Sequence, residues 1–374
     1  MGDRRDDDSP RTLKTQKPTG FFRNPKKPRK RERRRLRERK RRTSPPPPVG
    51  GGGGEEERGE KMMSPISRRV LTDLQVRKSR SQKEAFRAWL CKELEAAGYT
   101  PHVENGFAAK NVVAGGPETA KVLFSAHYDT CAVLPFPNFI TPRNLFFYLC
   151  YQLMLVVPLF LVVAVAEAIL IAVIVALKAS ALLVLMPFTS IALCGFFVWR
   201  LLDGKANRHT ANDNTSGVVT LLETALSMPE EHRGEVCFVF FDNEEKGLFG
   251  SAAFTRKHKR AKREVLNINF DCVGDGSSLQ FFPSKALKRD DETLRRIETA
   301  FRGRGGRTVE VVRTFGFYPS DNGAFKRGVG VCALKHKKLI GWYMDRIHTS
   351  RDTVLEEENV EILRDGAVAL VREL

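Results

Sequence analysis

Residues 236–251 read Val-Cys-Phe-Val-Phe-Phe-Asp-Asn-Glu-Glu-Lys-Gly-Leu-Phe-Gly-Ser, which predicts a strand, an acidic turn and the start of a helix. The apolar run Val236–Phe241 is typical of a strand that is covered on both faces, as in a parallel sheet. Ligands of open α/β sheets gather at the carboxyl ends of strands, which is where Glu244 and Glu245 fall. Two neighbouring carboxylates there can have different roles: one can bind a cation while the other transfers a proton. Taken alone, the pair also fits a solvated acidic turn.

The soluble parts of the chain alternate strand and helix patterns. Further strands are predicted at 121–126, 265–270 and 329–334, with helices at 216–226 and 357–374. This spacing predicts an α/β fold with a mixed, mostly parallel central sheet flanked by helices. Near the start of this region, Ser81-Gln-Lys-Glu84 has the pattern of a helix capping box.

The formal charge of +18 is concentrated at the start of the 374-residue chain, where residues 1–61 contain 21 Lys or Arg and 10 Asp or Glu. We expect residues 1–62 to form a disordered tail rich in basic residues, Pro and Gly, because such a segment buries too little apolar surface to fold. It fits a solvated tail, an arm for anionic lipid or nucleic acid, or a segment that is not normally made if Met62 or Met63 is the natural start. The basic run 26–42 contains no aromatic residue for base stacking, so no specific nucleic-acid partner is expected.

Two apolar runs interrupt the soluble pattern. Residues 145–177 contain Glu167 as their one charge, and residues 181–202 contain one Arg. Each run is long enough to cross a bilayer, so we predict a transmembrane helical hairpin at 144–203, between soluble parts at 63–143 and 204–374. A buried core hairpin is the alternative. Within a membrane, Glu167 needs a partner or a shallow position, and the sequence offers no obvious partner.

The charges around the hairpin predict its orientation. Its flanks carry Arg143, Arg200, Lys205 and Arg208, whereas its tip carries Lys178. The positive-inside rule therefore places both flanks in the cytoplasm. Seven cysteines without a Cys-x-x-Cys pair also favour a reducing compartment, and no N-terminal apolar segment resembles a secretory signal.

Histidines and carboxylates recur after the predicted strands and in the loops. A strand ends in His127-Tyr-Asp129, and residues two apart on an extended chain point to the same side, so Asp129 is placed to orient His127. The candidate ligands are His127, Asp213, Glu245, Asp271 and His348. Imidazole and carboxylate together suit zinc, and five ligands allow two ions if one carboxylate bridges them. A lone His or Asp in such a position is more often structural. The prediction of a metal site therefore depends on the joint occurrence of these residues.

The chain resembles the zinc-dependent aminopeptidase family that uses two co-catalytic zincs and also includes glutaminyl cyclases. The matching stretches come in the family's order and cover the soluble parts of roughly 80–372. They are residues 125–129, 211–217, 241–251, 270–271, 320–325 and 347–349.

The resemblance implies a role for each candidate residue. His127 and Asp271 would bind one zinc, Glu245 and His348 would bind the other, and Asp213 would bridge the two. Asp129 would orient His127, and Glu244 would be the general base that takes a proton from the zinc-activated water and passes it to the leaving amine. Tyr318 is a guess for the oxyanion donor, from its place in the loop.

The predicted hairpin departs from the family pattern, which has a short connection between Asp129 and Asp213. Both residues belong to one site and must end on the same face of the membrane, so the number of crossings must be even. Two helices satisfy this condition. Whether the hairpin anchors, dimerises or delivers apolar substrates is not readable from its sequence.

The leading hypothesis is a membrane-anchored zinc aminopeptidase with two zinc ions per chain, which removes N-terminal residues from peptides on the cytoplasmic side. Its expected partners are a peptide substrate and the lipid bilayer. A glutaminyl cyclase or another amide-cleaving relative is the second reading, because the ligand set does not exclude cyclisation. A non-catalytic membrane scaffold with the same fold is the third, although such relatives typically lack ligands that are all present here.

Overall fold

A mixed β-sheet organises the part of the chain that the computed structural model describes, residues 64–134 and 136–374. The predicted tail at 1–62 lies outside the described residues. Nine strands in these residues form the sheet, with the order β1-β2-β4-β3-β5-β8-β6-β7 and with β9 paired to β8. They are β1 His102–Gly106, β2 Ala109–Gly115, β3 Val122–His127, β4 Val236–Phe241, β5 Leu266–Phe270, β6 Ser278–Pro283, β7 Thr308–Val311, β8 Gly328–Lys337 and β9 Gly341–Tyr343.

The centre of the sheet is parallel, which confirms the predicted fold class. Strand β3 pairs in parallel with β4 on one side and with β5 on the other, and β5 pairs in parallel with β8. Strands β1, β2 and β9 add antiparallel pairs at the margins. Because β4, β3 and β5 are parallel neighbours, their carboxyl ends meet at one edge of the sheet.

The described residues contain nine α-helices, of which two form an apolar hairpin. They are α1 Pro65–Thr72, α2 Arg80–Ala96, α3 Leu145–Ala176, α4 Met186–Asp203, α5 Gly217–Ser227, α6 Phe249–Lys257, α7 Lys259–Arg263, α8 Asp291–Ala300 and α9 Glu357–Glu373. Strand side chains alternate between two apolar clusters. Phe124, Phe238 and Phe270 stack across three strands in the larger cluster, while Leu123 and Val239 lie in the other. Both faces of the central strands are therefore buried.

The N-terminal cap of α2 differs from the predicted one. The Ser79 hydroxyl accepts the backbone N–H of Gln82 at 3.2 Å, and the Gln82 side chain accepts the backbone N–H of Ser79 at 2.9 Å. The capping box is therefore Ser79 to Gln82, two residues before the predicted Ser81 to Glu84. The sequence satisfies the same pattern in both frames, and the structure uses the earlier one.

Helices α3 and α4 form the hairpin predicted at 144–203. They are separated by a short 3₁₀ turn, Ser180–Leu185, and both are long and apolar enough to cross a membrane. Only 6 % and 0 % of their most apolar windows are buried within the described residues, whereas a core helix would be mostly buried. Glu167 of α3 has partners after all, because the hydroxyls of Thr189 and Ser190 on α4 donate to its carboxylate at 2.5 and 2.8 Å.

The two flanks of the hairpin lie side by side. Ala132 and Ala206 form an antiparallel bridge, the Val133 N–H donates to the Lys205 carbonyl at 2.8 Å, and the Asn207 N–H donates to the Cys131 carbonyl at 3.1 Å. The chain therefore leaves the domain and re-enters it at one place. This geometry satisfies the requirement that Asp129 and Asp213 reach the same site.

Candidate metal centre

The edge where β4, β3 and β5 end collects the candidate ligands. His127 is the last residue of β3, Glu244 and Glu245 follow β4, and Asp271 follows β5 directly. Asp213 enters from the turn before α5, and His348 from the loop after β9. The structure thus brings all five sequence-predicted ligands together, and their roles as ligands remain predictions.

A first donor group consists of His127, Asp213 and Asp271, whose ligand atoms all lie within 4.8 Å of one another. His127 Nε2 is 3.4 Å from Asp213 Oδ1 and 3.5 Å from Asp271 Oδ1. All three side chains are buried, with His127 only 1 % exposed. One imidazole nitrogen and two carboxylate oxygens at such separations can converge on one cation.

A second donor group shares Asp213 with the first. It contains Asp213, Glu245 and His348 together with Cys131, again with ligand atoms within 4.8 Å of one another. His348 Nε2 is 2.9 Å from Asp213 Oδ2 and 3.3 Å from Glu245 Oε2. Asp213 thus presents one oxygen to each histidine. This is the arrangement that a bridging carboxylate requires.

Cys131 is a member of the second group that the sequence analysis did not single out. The thiol is buried, and burial together with the charges of Glu245 and Asp213 raises its pKa well above the ordinary value. Its spacing from Asp129 is a signal that was available, since the residue two positions further on can face the same side of an extended segment.

Glu244 lies beside the ligands without belonging to either of these two groups. Its carboxylate, one His127 nitrogen and one Glu245 oxygen fall within 4.8 Å of one another. Burial raises the pKa of Glu244 well above its ordinary value; the nearby His127 opposes this shift and Glu245 reinforces it. The position next to the donors fits a proton acceptor better than a solvated surface residue.

Asp129 holds the acidic turn as well as His127. Its Oδ1 lies 3.4 Å from His127 Nδ1, on the ring edge opposite to the one that faces Asp213. The same carboxylate accepts the backbone N–H of Glu244 at 3.0 Å and of Glu245 at 3.2 Å. One carboxylate therefore fixes the backbone of the two glutamates and lies beside the imidazole, the position that the predicted orienting role requires.

Asp352 supports the turn that carries Asp213 in a comparable way, and the sequence analysis missed it. Its two oxygens accept the backbone N–H groups of Asn212 and Asp213 at 2.7 and 2.9 Å. Burial and the charge of Asp213 raise its pKa to about 8. The sequence shows an Asp four residues after His348. Its role could not be predicted from this, because the residues that it contacts, Asn212 and Asp213, lie far away in the sequence.

Asn214 ties the strand ends to the turn that carries Asp213. Its amide nitrogen donates to the carbonyls of His127 and Phe270 at 3.3 and 3.1 Å, and its carbonyl oxygen accepts the N–H of Cys272 at 3.2 Å. Through Asn214 the ends of β3 and β5 are held at a fixed distance from the Asp213 turn.

The electrostatics of the cluster are those of carboxylates crowded away from water. Burial lowers the pKa of His348, but Glu245 and Asp213 outweigh it and raise the pKa to about 9. Burial also raises the pKa of Glu245 to about 8, with His348 opposing and Asp213 adding to the shift. Buried like charges of this kind call for a compensating cation.

An unpartnered carboxylate oxygen supports the fit of this donor set to zinc. Glu245 Oε1 is buried and has no hydrogen-bond partner among the described residues, and the Glu245 side chain is only 8 % exposed. A buried carboxylate oxygen without a partner is rare in native proteins, and a metal ion satisfies it. Imidazole and carboxylate donors are those that zinc takes.

Tyr318, the guessed oxyanion donor, has another contact. Its hydroxyl donates to the backbone carbonyl of Asp271 at 3.0 Å, and its side chain packs on Phe282. Burial raises the pKa of this phenol well above its ordinary value. In this arrangement its hydroxyl proton is held by the Asp271 carbonyl.

The chain is similar to known proteins in sequence and in fold. Residues 202–370 match the model of Peptidase family M28. Among solved structures, the Legionella pneumophila aminopeptidase LapA is 15 % identical with a TM-score of 0.50, and the match covers 82 % of this chain and 71 % of that one. Porphyromonas gingivalis glutaminyl cyclase is 16 % identical with a TM-score of 0.50, covering 82 % of this chain and 95 % of that one. A search of curated protein sequences finds no significant match.

At such low identities the structural matches show the fold alone, and the family match adds the peptidase character. Together they confirm the resemblance to the aminopeptidase and glutaminyl cyclase family that residues 125–129 and 241–251 indicate. They support an enzyme of metallopeptidase type.

Proposed function

We propose that this chain, which carries a Peptidase family M28 region at residues 202–370, is a membrane-anchored zinc aminopeptidase. The observation that supports this most directly is the pair of donor groups that share Asp213, with Glu244 beside them. His127 and Asp271 would hold one zinc ion, and Glu245 and His348 the other. Bound zinc would polarise the scissile carbonyl and make water more acidic.

The chain's own residues would supply the proton transfers. As water adds to the carbonyl carbon of the first peptide bond, Glu244 accepts a proton from it. When the C–N bond breaks, Glu244 returns that proton to the leaving amine. Asp129 keeps Glu244 in place through its backbone N–H, and it holds His127 with Nε2 directed at Asp213 and Asp271.

The hairpin would anchor the enzyme in a bilayer. Helices α3 and α4 expose large apolar side chains along their length, including Phe160, Ile169 and Trp199. A bilayer would cover this surface, and the hydrogen bonds from Thr189 and Ser190 would satisfy Glu167 across the helix pair. The excess of Arg and Lys at the flanks supports a site that faces the cytoplasm.

The direct test uses the full chain purified in detergent, supplied with zinc and assayed on a panel of aminoacyl-arylamides. We expect hydrolysis, and we expect Glu244→Gln to lower kcat by about 10²–10⁴-fold, since a general base is removed. Zinc content should stay that of the unchanged protein. Glu95→Gln, on an exposed part of α2, is the matched control. Unchanged turnover in Glu244→Gln would rule out this mechanism.

Glutaminyl cyclase activity is the second candidate. It is supported by the match to the Porphyromonas gingivalis enzyme, because that match covers 95 % of the cyclase chain. Peptides with an N-terminal Gln distinguish the two reactions, since a cyclase releases ammonia and leaves every peptide bond intact. An aminopeptidase releases free glutamine. Metal analysis adds a second criterion, because one tightly bound zinc per chain favours the cyclase.

A further inference from the structure

A basic cavity lies next to the loop that carries Glu244 and Glu245. Its volume is about 430 Å³, and it is bounded by α2, by the β1–β2 hairpin and by residues 242–246. Its wall contains one carboxylate, Asp242, and six cationic side chains: Lys78, Arg80, Lys83, Arg87, Lys110 and Lys246. The catalytic proposal above uses none of these cations.

Three of the cations come from one face of α2. Arg80, Lys83 and Arg87 are spaced three and four residues apart, which places them one above another on a helix. Lys83 and Arg87 are only 7 % and 6 % exposed. Burying a charge is costly unless it is paired, so the two buried cations on this face, with the exposed Arg80 before them, suggest an anionic occupant.

Of the two buried cations, Lys83 is paired with a carboxylate, whereas the hydrogen-bond partner of Arg87 among the described residues is neutral. Lys83 Nζ lies 2.6 Å from Asp242 Oδ1, the carboxylate that lines the cavity. Arg87 donates to the Tyr128 hydroxyl at 2.7 Å, a neutral partner. A guanidinium and several ammonium groups around a space of this size match the oxygens of a phosphate group.

The cavity adjoins the end of the apolar hairpin. Lys78 Nζ donates to the carbonyl of Leu202 at 3.0 Å, and Lys246 Nζ pairs with Asp203 at 2.7 Å. Leu202 and Asp203 are the last residues of α4. If the hairpin spans a bilayer as proposed above, this end of α4 lies at the level of the lipid headgroups.

We propose that the cavity binds the phosphate of an anionic phospholipid headgroup. This inference rests on the membrane anchoring in the proposed function, but on no step of the peptidase chemistry. Cationic side chains next to a membrane-spanning helix are the usual recognition elements for anionic headgroups. Because Asp242 lines the cavity and precedes the Glu244–Glu245 pair, a bound headgroup would also contact the loop that carries the active site.

The test measures lipid retention by native mass spectrometry of the full chain, released from detergent that contains phosphatidylglycerol and phosphatidylcholine. The cavity variant is Lys78→Gln/Arg80→Gln/Lys110→Gln, which leaves the most buried cations in place. The control is Lys259→Gln/Lys262→Gln/Lys338→Gln, which removes the same charge from exposed positions elsewhere. Thermal unfolding of both variants verifies that they are folded.

We expect the unchanged protein and the control to retain one phosphatidylglycerol with a preference of at least about tenfold over phosphatidylcholine, and the cavity variant to lose that preference. Equal retention by the cavity variant, or no preference in the unchanged protein, would overturn the proposal. Glycerol phosphate is the soluble probe. If it binds the lipid-free protein as tightly as the lipid does, the ligand is a soluble phosphate ester and the lipid assignment is wrong.

The outcome is separable from that of the proposed function. Lipid retention needs no turnover, so its failure leaves the peptidase proposal untouched, and an inactive peptidase leaves the lipid result interpretable. A hairpin that fails to insert, detected by extraction from membranes with alkaline carbonate, would remove the premise of the lipid assignment and the membrane anchoring of the proposed function, and would leave the peptidase chemistry untouched.

Discussion

The carboxylate of Asp129 accepts the backbone N–H of Glu244 at 3.0 Å while its other oxygen accepts that of Glu245. The contact makes Asp129 a support for the acidic turn in addition to a partner of His127. The position of the proposed proton acceptor therefore depends on a residue two positions beyond the end of the neighbouring strand.

Asp129→Asn tests this support. An amide offers one acceptor oxygen in place of two, so one of the two N–H groups loses its partner and the His127 contact is weakened. We expect activity or zinc affinity to fall by about 10–100-fold with the fold retained. Zinc titration and kcat measured on the same sample will show which quantity changes. A variant with unchanged values of both would contradict the orienting role.

Asp352→Asn tests the support that Asp352 gives to the turn carrying Asp213. Its oxygens hold the backbone of Asn212 and Asp213, so the substitution should release the proposed bridging residue. We expect a loss of zinc affinity of about 10–100-fold, measured by competition with a chelator. Asp365→Asn, on the exposed side of α9, provides a control with the same chemical change.

Cobalt substitution tests the place of Cys131 in the second donor group. If its sulfur reaches the ion held by Asp213, Glu245 and His348, the cobalt protein should show a thiolate charge-transfer band in the near ultraviolet. Cys131→Ser should abolish the band, whereas Cys91→Ser on α2 should leave it unchanged. A cobalt-loaded protein without the band would place the thiol outside the coordination sphere.

Glu104 predicts a dependence of stability on pH that is independent of the metal centre. Burial raises its pKa, but hydrogen bonds from Lys257 and His258 outweigh this and lower it below the ordinary value of 4.5. Its contribution to stability is therefore complete above about pH 4.5 and is lost as the pH falls through the lower value in the folded protein. The difference in melting temperature between the unchanged protein and Glu104→Gln should shrink over that interval. A constant difference would contradict the assignment.

Reporter fusions test the topology. With both flanks of the hairpin bridged at Ala132 and Ala206, a reporter at Leu374 should report the cytoplasm and one inserted at Lys178 should report the opposite side. An external signal at Leu374 would reverse the orientation without affecting the proposed chemistry.

The parts of the fold that the sequence predicted are those encoded locally. The runs that became β3, β4 and β5 are short and apolar, and His127, Glu244 and Asp271 lie at the strand end or within three residues of it. The strand, its position at the sheet edge and the donor residue could therefore be predicted together. Helices α3 and α4 could also be predicted from the sequence, because their apolar runs are long and almost free of charge.

The parts that escaped prediction depend on long-range contacts. Asp352 acts on the backbone of Asp213, and the partners of Glu167 are two ordinary hydroxyls one helix away, so neither contact leaves a local pattern. The cap of α2 was misplaced because two overlapping frames fit one pattern. The strand at 278–283 was not predicted, although its side chains are buried throughout.

The strand order has a consequence for biosynthesis. Strand β3 lies between β4 and β5, and β2 also pairs with β4, so every sheet neighbour of β3 is made only after the hairpin. If the hairpin spans a bilayer as proposed, the segment that carries His127 must remain without its partner strands while both apolar helices are synthesised and enter the membrane. A largely apolar strand in that state is prone to aggregate. On that proposal, membrane insertion and completion of the candidate site are successive stages of one assembly process, and a delay in the first prolongs the exposure of β3.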